Sequence, residues 1–365
     1  MDSVYKSYLN QVEIDTLNFL QNIERDKHFL YSPVERGMTK AGSELTLGFS
    51  CYALKINYIF NNPLKINFKN WCDVINSYQI ETGEYIDNMY LKNINQFAFE
   101  TLLKNSTKIF LNYFGKNYPT KSKIIKDSIR AETKQSISTI FQVNEKNKIQ
   151  LSSYQSDIEE IKTFLNNLNW NNPWSAGAQF AALSVFLKTQ SNHKQSFDSL
   201  KNYLIDFTNS IVDSSTGTYF LNQKPNSDEL INGAMKVLTG LDWLDGEIKY
   251  PERLIDFCLL NKPSHEGCNL VDTVYVLWKS SNQTTYKRKE IIKYLIDVIE
   301  IIKLHQYKNS GFSYYLNKSQ IYYYGLKITR GYDVPDLHGT VLLVWALSMI
   351  NKICEFGLNW NTLKP

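Results

Sequence analysis

The sequence predicts an all-α protein in which about six helical hairpins form the inner and outer layers of an α/α toroid. Turn-like segments recur, and those at positions 173, 217, 267 and 311 are 44, 50 and 44 residues apart. An apolar, helix-like segment follows nearly every turn, and more amphipathic segments lie between them. A repeat of this length is typical of stacked supersecondary units.

The recurring turns divide the chain from its N-terminal to its C-terminal end. The earliest lies between Gly37 and Gly42, and the next surrounds Gly83. The weakest spans residues 128–132. Pro173, Gly217, Gly267 and Gly311 mark the later turns. Glycine and proline are the strongest local signals for turns, so these positions separate the predicted helices.

Six segments are apolar on most faces, as expected of buried inner helices. They are residues 44–60, 132–143, 175–189, 232–244, 272–280 and 336–350. The amphipathic segments 157–168, 196–211 and 288–305 carry Lys and Glu and fit a solvated outer layer.

Strand signals are sparse. Tyr314-Tyr315 and the run of tyrosines at 322–324 predict a short β-hairpin, with Asn317-Lys318 near its turn. The polar stretch 142–154 predicts an internal loop, and no low-complexity linker divides the chain. We therefore expect residues 1–365 to form a single domain.

Composition narrows the function classes. The chain has 43% hydrophobic residues, 14% aromatic residues and a net charge of +4. That charge is too small to indicate nucleic acid, and there is no basic run, but it is compatible with an anionic substrate. The five cysteines form no close pair, which predicts reduced thiols and a cytoplasmic protein.

Two further absences bear on location. The N-terminus lacks the basic start and apolar stretch of a signal peptide. The longest apolar run, residues 341–350, is too short to cross a bilayer, so we predict no transmembrane segment.

The turns resemble the Gln-x-x-x-Gly-Gly-Phe repeats of terpenoid cyclases and protein prenyltransferase β-subunits over about the last two thirds of the chain. The segment from Val271 to Trp278 looks like the prenyltransferase helix that carries an Asp-x-Cys zinc pair, with Asp272 at the aspartate. Gly311-Phe312-Ser313 and the segment from Asp336 to Thr340 look like the last Gly-Gly turn and the zinc histidine, with His338 at that histidine.

The resemblance implies an α/α toroid with a central cavity for an isoprenoid-like substrate. Val274 stands where the family has the zinc cysteine, and His338 stands where class II cyclases have the middle aspartate of their acid motif. There is also no glycine-rich nucleotide loop and no Asp-Asp-x-x-Asp cluster. We therefore predict acid/base chemistry without a metal or a cofactor.

Polar residues near the starts of the inner helices are the candidate catalytic groups, because these helix ends would surround one end of the cavity. Asp336 can orient the imidazole of His338 and so make it a general acid/base. Asp272 and Glu132 are further candidate carboxylates. Each has a structural alternative: Asp336 and Asp272 are suitable N-caps, His338 a buried histidine, and Glu132 an ordinary first-turn residue.

Six other residues are predicted to bind the substrate. Lys236 interrupts an apolar helix and would be costly if buried without a partner, and Asn232 lies one turn before it. Three aromatic residues that could stack on a substrate, and one glutamine that could form polar contacts with it, complete the set. The six are Trp174, Gln179, Asn232, Lys236, Tyr219 and Tyr314.

Three functions remain open at this point. The first is a cyclase- or transferase-like enzyme that acts on an elongated or isoprenoid-like substrate. The second is a carbohydrate-active enzyme, either a hydrolase, a lyase or an epimerase. The third is a binding or scaffold protein whose ancestral site has decayed. The fold does not choose among them.

Overall fold

The computed structural model describes residues 2–62, 68–96, 121–191 and 194–365, and within these ranges the predicted all-α class is confirmed. The helices are α1 (Asp2–Ile23), α2 (Lys40–Glu44), α3 (Leu47–Ile59), α4 (Phe68–Asn76), α5 (Asn88–Gln96), α6 (Lys121–Gln142), α7 (Ile158–Asn166), α8 (Pro173–Gln190), α9 (Lys194–Ile211), α10 (Ser227–Trp243), α11 (Pro251–Leu260), α12 (Gly267–Ser281), α13 (Arg288–Lys303) and α14 (Leu337–Cys354). Two short strands, β1 (Tyr322–Tyr323) and β2 (Leu326–Lys327), form the one sheet of the described residues.

Six helices form a closed cycle of contacts. Helix α3 packs on α6, α6 on α8, α8 on α10, α10 on α12, α12 on α14, and α14 returns to α3. These six helices correspond to the six predicted inner segments, although α3 starts at Leu47, later than predicted, and α6 begins at Lys121, well before the predicted start at residue 132. Each ring helix therefore has a neighbour on both sides, which explains why apolar residues cover most of its faces.

Amphipathic helices pack outside this ring. Helix α9 lies against α8, α11 against α12, α13 against both α12 and α14, α4 against α3, and α1 against α14. The predicted outer segments correspond to α7, α9 and α13. The buried apolar side chains of the described residues form one cluster that extends from Leu9 to Leu363.

Helix α14 is long and apolar enough, by length and composition alone, to cross a membrane. It is the one described helix that meets this test, and 78% of it is buried inside the protein. A central core helix has the same composition, and α14 is in contact with both α3 and α12 in the ring. Its apolar character is therefore explained by its position.

Side-chain caps fix where three of the ring helices begin. The side chains of Asn172, Asn226 and Asp336 accept backbone N–H groups in the first turns of α8, α10 and α14. Pro173 occupies the first position of α8, where its missing N–H costs nothing. Capped starts hold the N-terminal ends of these helices, and the residues on them, at fixed positions.

The turns at Gly83, Gly217 and Gly311 share one geometry with the turn at residues 24–31, whereas residues 128–132 lie inside α6, so the turn predicted there is wrong. Isolated antiparallel bridges join Glu24 to Tyr31, Gln79 to Tyr85, Val212 to Tyr219, and Gln306 to Phe312. The second residue of each bridge is aromatic and fully buried. The turn signal in the sequence thus ends in an aromatic side chain that anchors the turn in the core, because burying a large ring is strongly favourable.

The short hairpin differs from its prediction. A separate bridge joins Tyr315 to Lys318 across Asn317. In the hairpin itself, Tyr322 pairs with Lys327 and Tyr323 with Leu326, so its turn lies at Tyr324-Gly325. Both turn residues have positive φ, at 44° and 83°, as the favoured two-residue hairpin turn requires. The geometry directs Tyr323 and Tyr324 toward the ring of helices.

Candidate functional site

The ring encloses a cavity of about 420 Å³, and all six of its helices contribute to the wall. One polar side chain from each helix is Lys55 (α3), Lys134 (α6), Gln179 (α8), Lys236 (α10), Asp272 (α12) and His338 (α14). Tyrosines from α3, from the hairpin and from the segment before it complete the aromatic wall. This volume is in the usual range for a small-molecule site.

His338 lies in the first turn of α14 and its imidazole is held between two tyrosine rings. The ring centroids are 4.9 Å from Tyr52 and 5.3 Å from Tyr314, with interplanar angles of 9° and 22°. Its Nδ1 has no hydrogen-bond partner within the described residues. Burial, with a further contribution from the positive charge of Lys236, lowers the pKa of the imidazole to about 3. His338 is therefore a neutral imidazole on the cavity wall.

Asp336 does not orient this imidazole, contrary to the prediction. Its carboxylate accepts the backbone N–H of Gly339 at 2.8 Å, of Tyr314 at 2.8 Å and of Gln320 at 3.0 Å. It thus caps α14 and ties the segment before the hairpin to that helix, which places Tyr314 against His338. Burial, opposed by these backbone hydrogen bonds, raises the pKa of Asp336 to about 6.

Asp272 is not an N-cap, because α12 begins at Gly267 and Glu266 precedes it. It lies in the second turn, on the cavity wall, and is 2% exposed. Its Oδ2 has no hydrogen-bond partner among the described residues. Burial raises the pKa of this carboxyl to about 6, and the charge of Lys236 opposes the rise. A buried carboxyl without a partner is costly, which favours a functional explanation.

Three lysines share the cavity wall. None of them makes a hydrogen bond or an ion pair with another described side chain; they are Lys55, Lys134 and Lys236. Burial lowers the pKa of Lys55 to about 8 and brings the pKa of Lys134 well below its usual value, and the charge of Lys236 contributes to both shifts. The three amines therefore share one cavity without a described counter-charge of their own.

Glu132 lies in the middle of α6 and not at a helix start, and it is 6% exposed. Its carboxyl group is hydrogen bonded to the hydroxyl of Tyr323, whose ring belongs to the cavity wall. Gly48 leaves the space for this contact, because a Cβ at that position would collide with the Tyr323 hydroxyl. Burial raises the pKa of Glu132 to about 8, although the Tyr323 hydrogen bond opposes the rise.

The other predicted binding residues divide into two groups. Trp174 and Gln179 lie on the cavity wall, where Trp174 is 46% exposed and Gln179 donates to Asp127 at 3.3 Å. Asn232 does not line the cavity, and its side-chain amide donates to Asn269 at 2.6 Å. Tyr219 is 1% exposed and does not line the cavity, because it is the buried aromatic of its turn.

The sequence interpretation missed Lys55, Lys134 and Tyr52. The signal for the two lysines was present: each interrupts an inner helix with a charge, as Lys236 does. The same cost of burying an unpaired charge applies to all three. Tyr52 carries no such signal, because a tyrosine in an apolar helix is common in cores.

Metal ligands do not gather at this site. Over the part of the chain that the structure describes, no three His, Cys, Asp or Glu side chains form a group that could hold a metal ion. The two residues matched to the zinc ligands, Asp272 and His338, both line the cavity, as does Cys268, but the described residues form no such group of three.

Comparisons with known proteins give little beyond this geometry. No protein-family model matches the sequence, and no curated protein matches it either. Among solved structures, the chain is similar to a polysaccharide lyase, with a TM-score of 0.45 and 9% sequence identity over 96% of this chain and 98% of the other. At this level of likeness, the function has to be argued from the residues of the cavity.

Proposed function

We propose that the protein is an α/α-toroid enzyme that performs proton-transfer chemistry on an acidic carbohydrate bound in its central cavity. One observation carries the proposal. Lys236 has no ion-pair partner in the described structure, yet its charge acts on both His338 and Asp272. A cation beside a neutral base and a carboxyl acid is the arrangement needed to remove a proton next to a carboxylate.

The lysines support an anionic substrate. Three amines around one cavity repel each other, and burial without a partner adds to the cost. A negatively charged ligand would supply the missing partner and form charge-assisted hydrogen bonds. The two carboxylates of the wall, Asp127 and Asp272, cannot balance Lys55, Arg130, Lys134 and Lys236.

The distribution of charge favours a sugar over an isoprenoid. An isoprenoid chain needs a long apolar wall, but Lys55 and Lys134 lie in the third or later turns of α3 and α6, away from the helix starts. The tail would therefore contact buried amines. A sugar offers hydroxyls to such groups, and its apolar ring faces can stack on aromatic side chains such as Tyr314.

The proposed reaction is a β-elimination of the lyase type. His338 takes the proton on the carbon next to the substrate carboxylate, while Lys236 neutralises the charge that develops on that carboxylate. The electron pair forms a carbon–carbon double bond and the bond to the leaving oxygen breaks. Asp272, in its protonated form, gives a proton to that oxygen, so the atoms balance and no water is consumed.

The test is an assay of purified protein against a panel of uronate-containing polysaccharides, with neutral polysaccharides as controls. We expect new reducing ends together with an unsaturated product that absorbs ultraviolet light, from acidic substrates alone. New reducing ends without that absorbance would indicate hydrolysis and would contradict elimination. Cleavage of the neutral polymers at equal rates would contradict the role assigned to Lys236.

A further inference from the structure

The cavity has two chemically different halves. In the order of the ring, α3 and α6 carry Lys55 and Lys134, whereas α12 and α14 carry Asp272 and His338. Helix α10, which carries Lys236, lies opposite α3 in this order. Lys236 thus stands between a lysine half and an acid/base half.

The charge of Lys236 influences the pKa values of residues in both halves. The charge of Lys236 acts on Asp272 and His338, and it also acts on Lys55 and Lys134. Lys55 in turn acts on Lys134. Among the described residues, then, Lys236 has neighbours in both halves.

The carboxyl groups of the lysine half already have partners of their own. Lys55 is 9% exposed, lies on the wall of the cavity and has no described hydrogen-bond or ion-pair partner, and Lys134 has none either. Asp127 lies on α6 and on the cavity wall, and it accepts a hydrogen bond from Gln179. The carboxyl of Glu132 is hydrogen bonded to Tyr323. Lys55 and Lys134 therefore face space in the cavity that a ligand can occupy.

We propose that Lys55 and Lys134 form a second anion subsite, so that the substrate carries at least two acidic groups and spans the cavity. One acidic group lies beside Lys236 at His338 and Asp272, and another lies between Lys55 and Lys134. This inference rests on the proposed function. The substrate class it names is an oligosaccharide with repeated carboxylate or sulfate groups, rather than a single acidic sugar.

The test uses inorganic sulfate as a probe of the folded full-length protein, by calorimetric titration. The variants are Lys134→Met, Lys55→Met and Lys236→Met, with Lys134→Arg as the charge-conserving change. Lys162→Met on the outer helix α7 is the matched control, because that lysine pairs with Glu159 at the surface. Thermal melts check folding, and losing a buried unpaired charge should not lower stability.

We expect the Met variants at 55 and 134 to bind sulfate about 10- to 100-fold more weakly than the wild type, as the loss of a charge-assisted hydrogen bond implies. Lys134→Arg and Lys162→Met should bind it normally. Unchanged binding in both Met variants, or binding abolished by Lys236→Met alone, would overturn the second subsite.

Sulfate binding does not require turnover, so this result is separate from the proposed reaction. If sulfate binds at Lys55 and Lys134 but no uronate polymer is cleaved, the subsite stands and the elimination fails. If the polymers are cleaved and the Met variants retain normal sulfate binding and normal KM for oligomers, the elimination stands and the second subsite fails.

Discussion

The imidazole of His338 lies nearly parallel to the ring of Tyr52, with centroids 4.9 Å apart and an angle of 9° between the planes. Tyr314 covers the opposite side at 5.3 Å. The two rings fix the imidazole plane, and the buried Nδ1 has no hydrogen-bond partner among the described residues. A base that is held rigidly in a cavity loses little entropy when it reacts.

Replacing this imidazole should abolish catalysis without unfolding the protein. We expect His338→Ala to lower kcat/KM by about a hundredfold or more, the usual contribution of general acid/base catalysis. The control is His28→Ala, because the His28 side chain is 87% exposed. Wild-type activity in His338→Ala, with His28→Ala also active, would exclude His338 as the base.

Activity should depend on pH in a bell-shaped manner. The base must be neutral and the acid protonated, and the pKa of His338 is about 3 while the pKa of Asp272 is about 6. Both requirements are met between about pH 3 and about pH 6, so kcat/KM of the wild type should be highest in that window. An optimum above pH 8 would show that other groups carry the proton.

Lys236→Met should move this profile. The positive charge of Lys236 lowers the pKa of both His338 and Asp272, so its removal raises both values. We therefore expect both limbs of the profile to shift to higher pH, and KM for an acidic substrate to rise. The control is Lys162→Met, which should leave the profile in place. A loss of activity without any shift would contradict the electrostatic role of Lys236.

Asp336 should act as a positioning residue. Asn at 336 keeps one acceptor oxygen, but it cannot serve all the backbone N–H groups that the carboxylate now accepts. We expect Asp336→Asn to lower the free energy of unfolding by about 1–3 kcal/mol and to raise KM through the displaced Tyr314. The pH limbs of kcat/KM should stay unchanged, and a shifted limb would mean that Asp336 itself transfers protons.

Glu132 should make the stability depend on pH. Its folded-state pKa of about 8 lies above the ordinary value of 4.5, so the protonated form is favoured in the folded protein. The stabilisation of the folded state by protonated Glu132 is complete below about pH 4.5 and is lost as pH rises through 8. Glu132→Gln removes the titration, and the variant should be about 2–4 kcal/mol more stable than the wild type above pH 8.

Denaturant titrations of the two proteins at pH 5 and pH 8.5 measure this difference. Near-equal stability at pH 5 and a gap at pH 8.5 are expected. If the difference in the free energy of unfolding between the two proteins is the same at pH 5 and pH 8.5, Glu132 is ionised in the folded state.

The sequence predicted the helical layers well because burial leaves a strong pattern. A ring helix such as α14 is covered on most sides, so apolar residues surround it, and a polar cap at Asp336 marks its start. The turns were visible for a similar reason, since Gly83 and Gly217 adopt positive φ values of 82° and 72°. The closing of the ring, α14 on α3, has no local signal.

The site was harder to predict, because the direction in which a side chain points, and its depth in the cavity, depend on the tertiary structure. Tyr219 and Tyr314 look alike in sequence, yet the first anchors a turn in the core and the second covers His338. Asp272 was interpreted in part as a cap because α12 was expected to begin five residues later than it does. A shift of one or two turns is enough to change the role of a polar side chain.

The acidic-carbohydrate function is tested most directly by a thermal-shift comparison of the wild-type protein with four ligands at equal concentration. These are a uronate oligosaccharide, a neutral oligosaccharide of the same length, an isoprenoid diphosphate and inorganic pyrophosphate. We expect the uronate oligosaccharide to raise the Tm of the wild type by a few degrees but not that of Lys236→Met, and the neutral oligosaccharide to cause no rise. A larger rise with the isoprenoid diphosphate than with both the uronate and pyrophosphate would contradict the acidic-carbohydrate function.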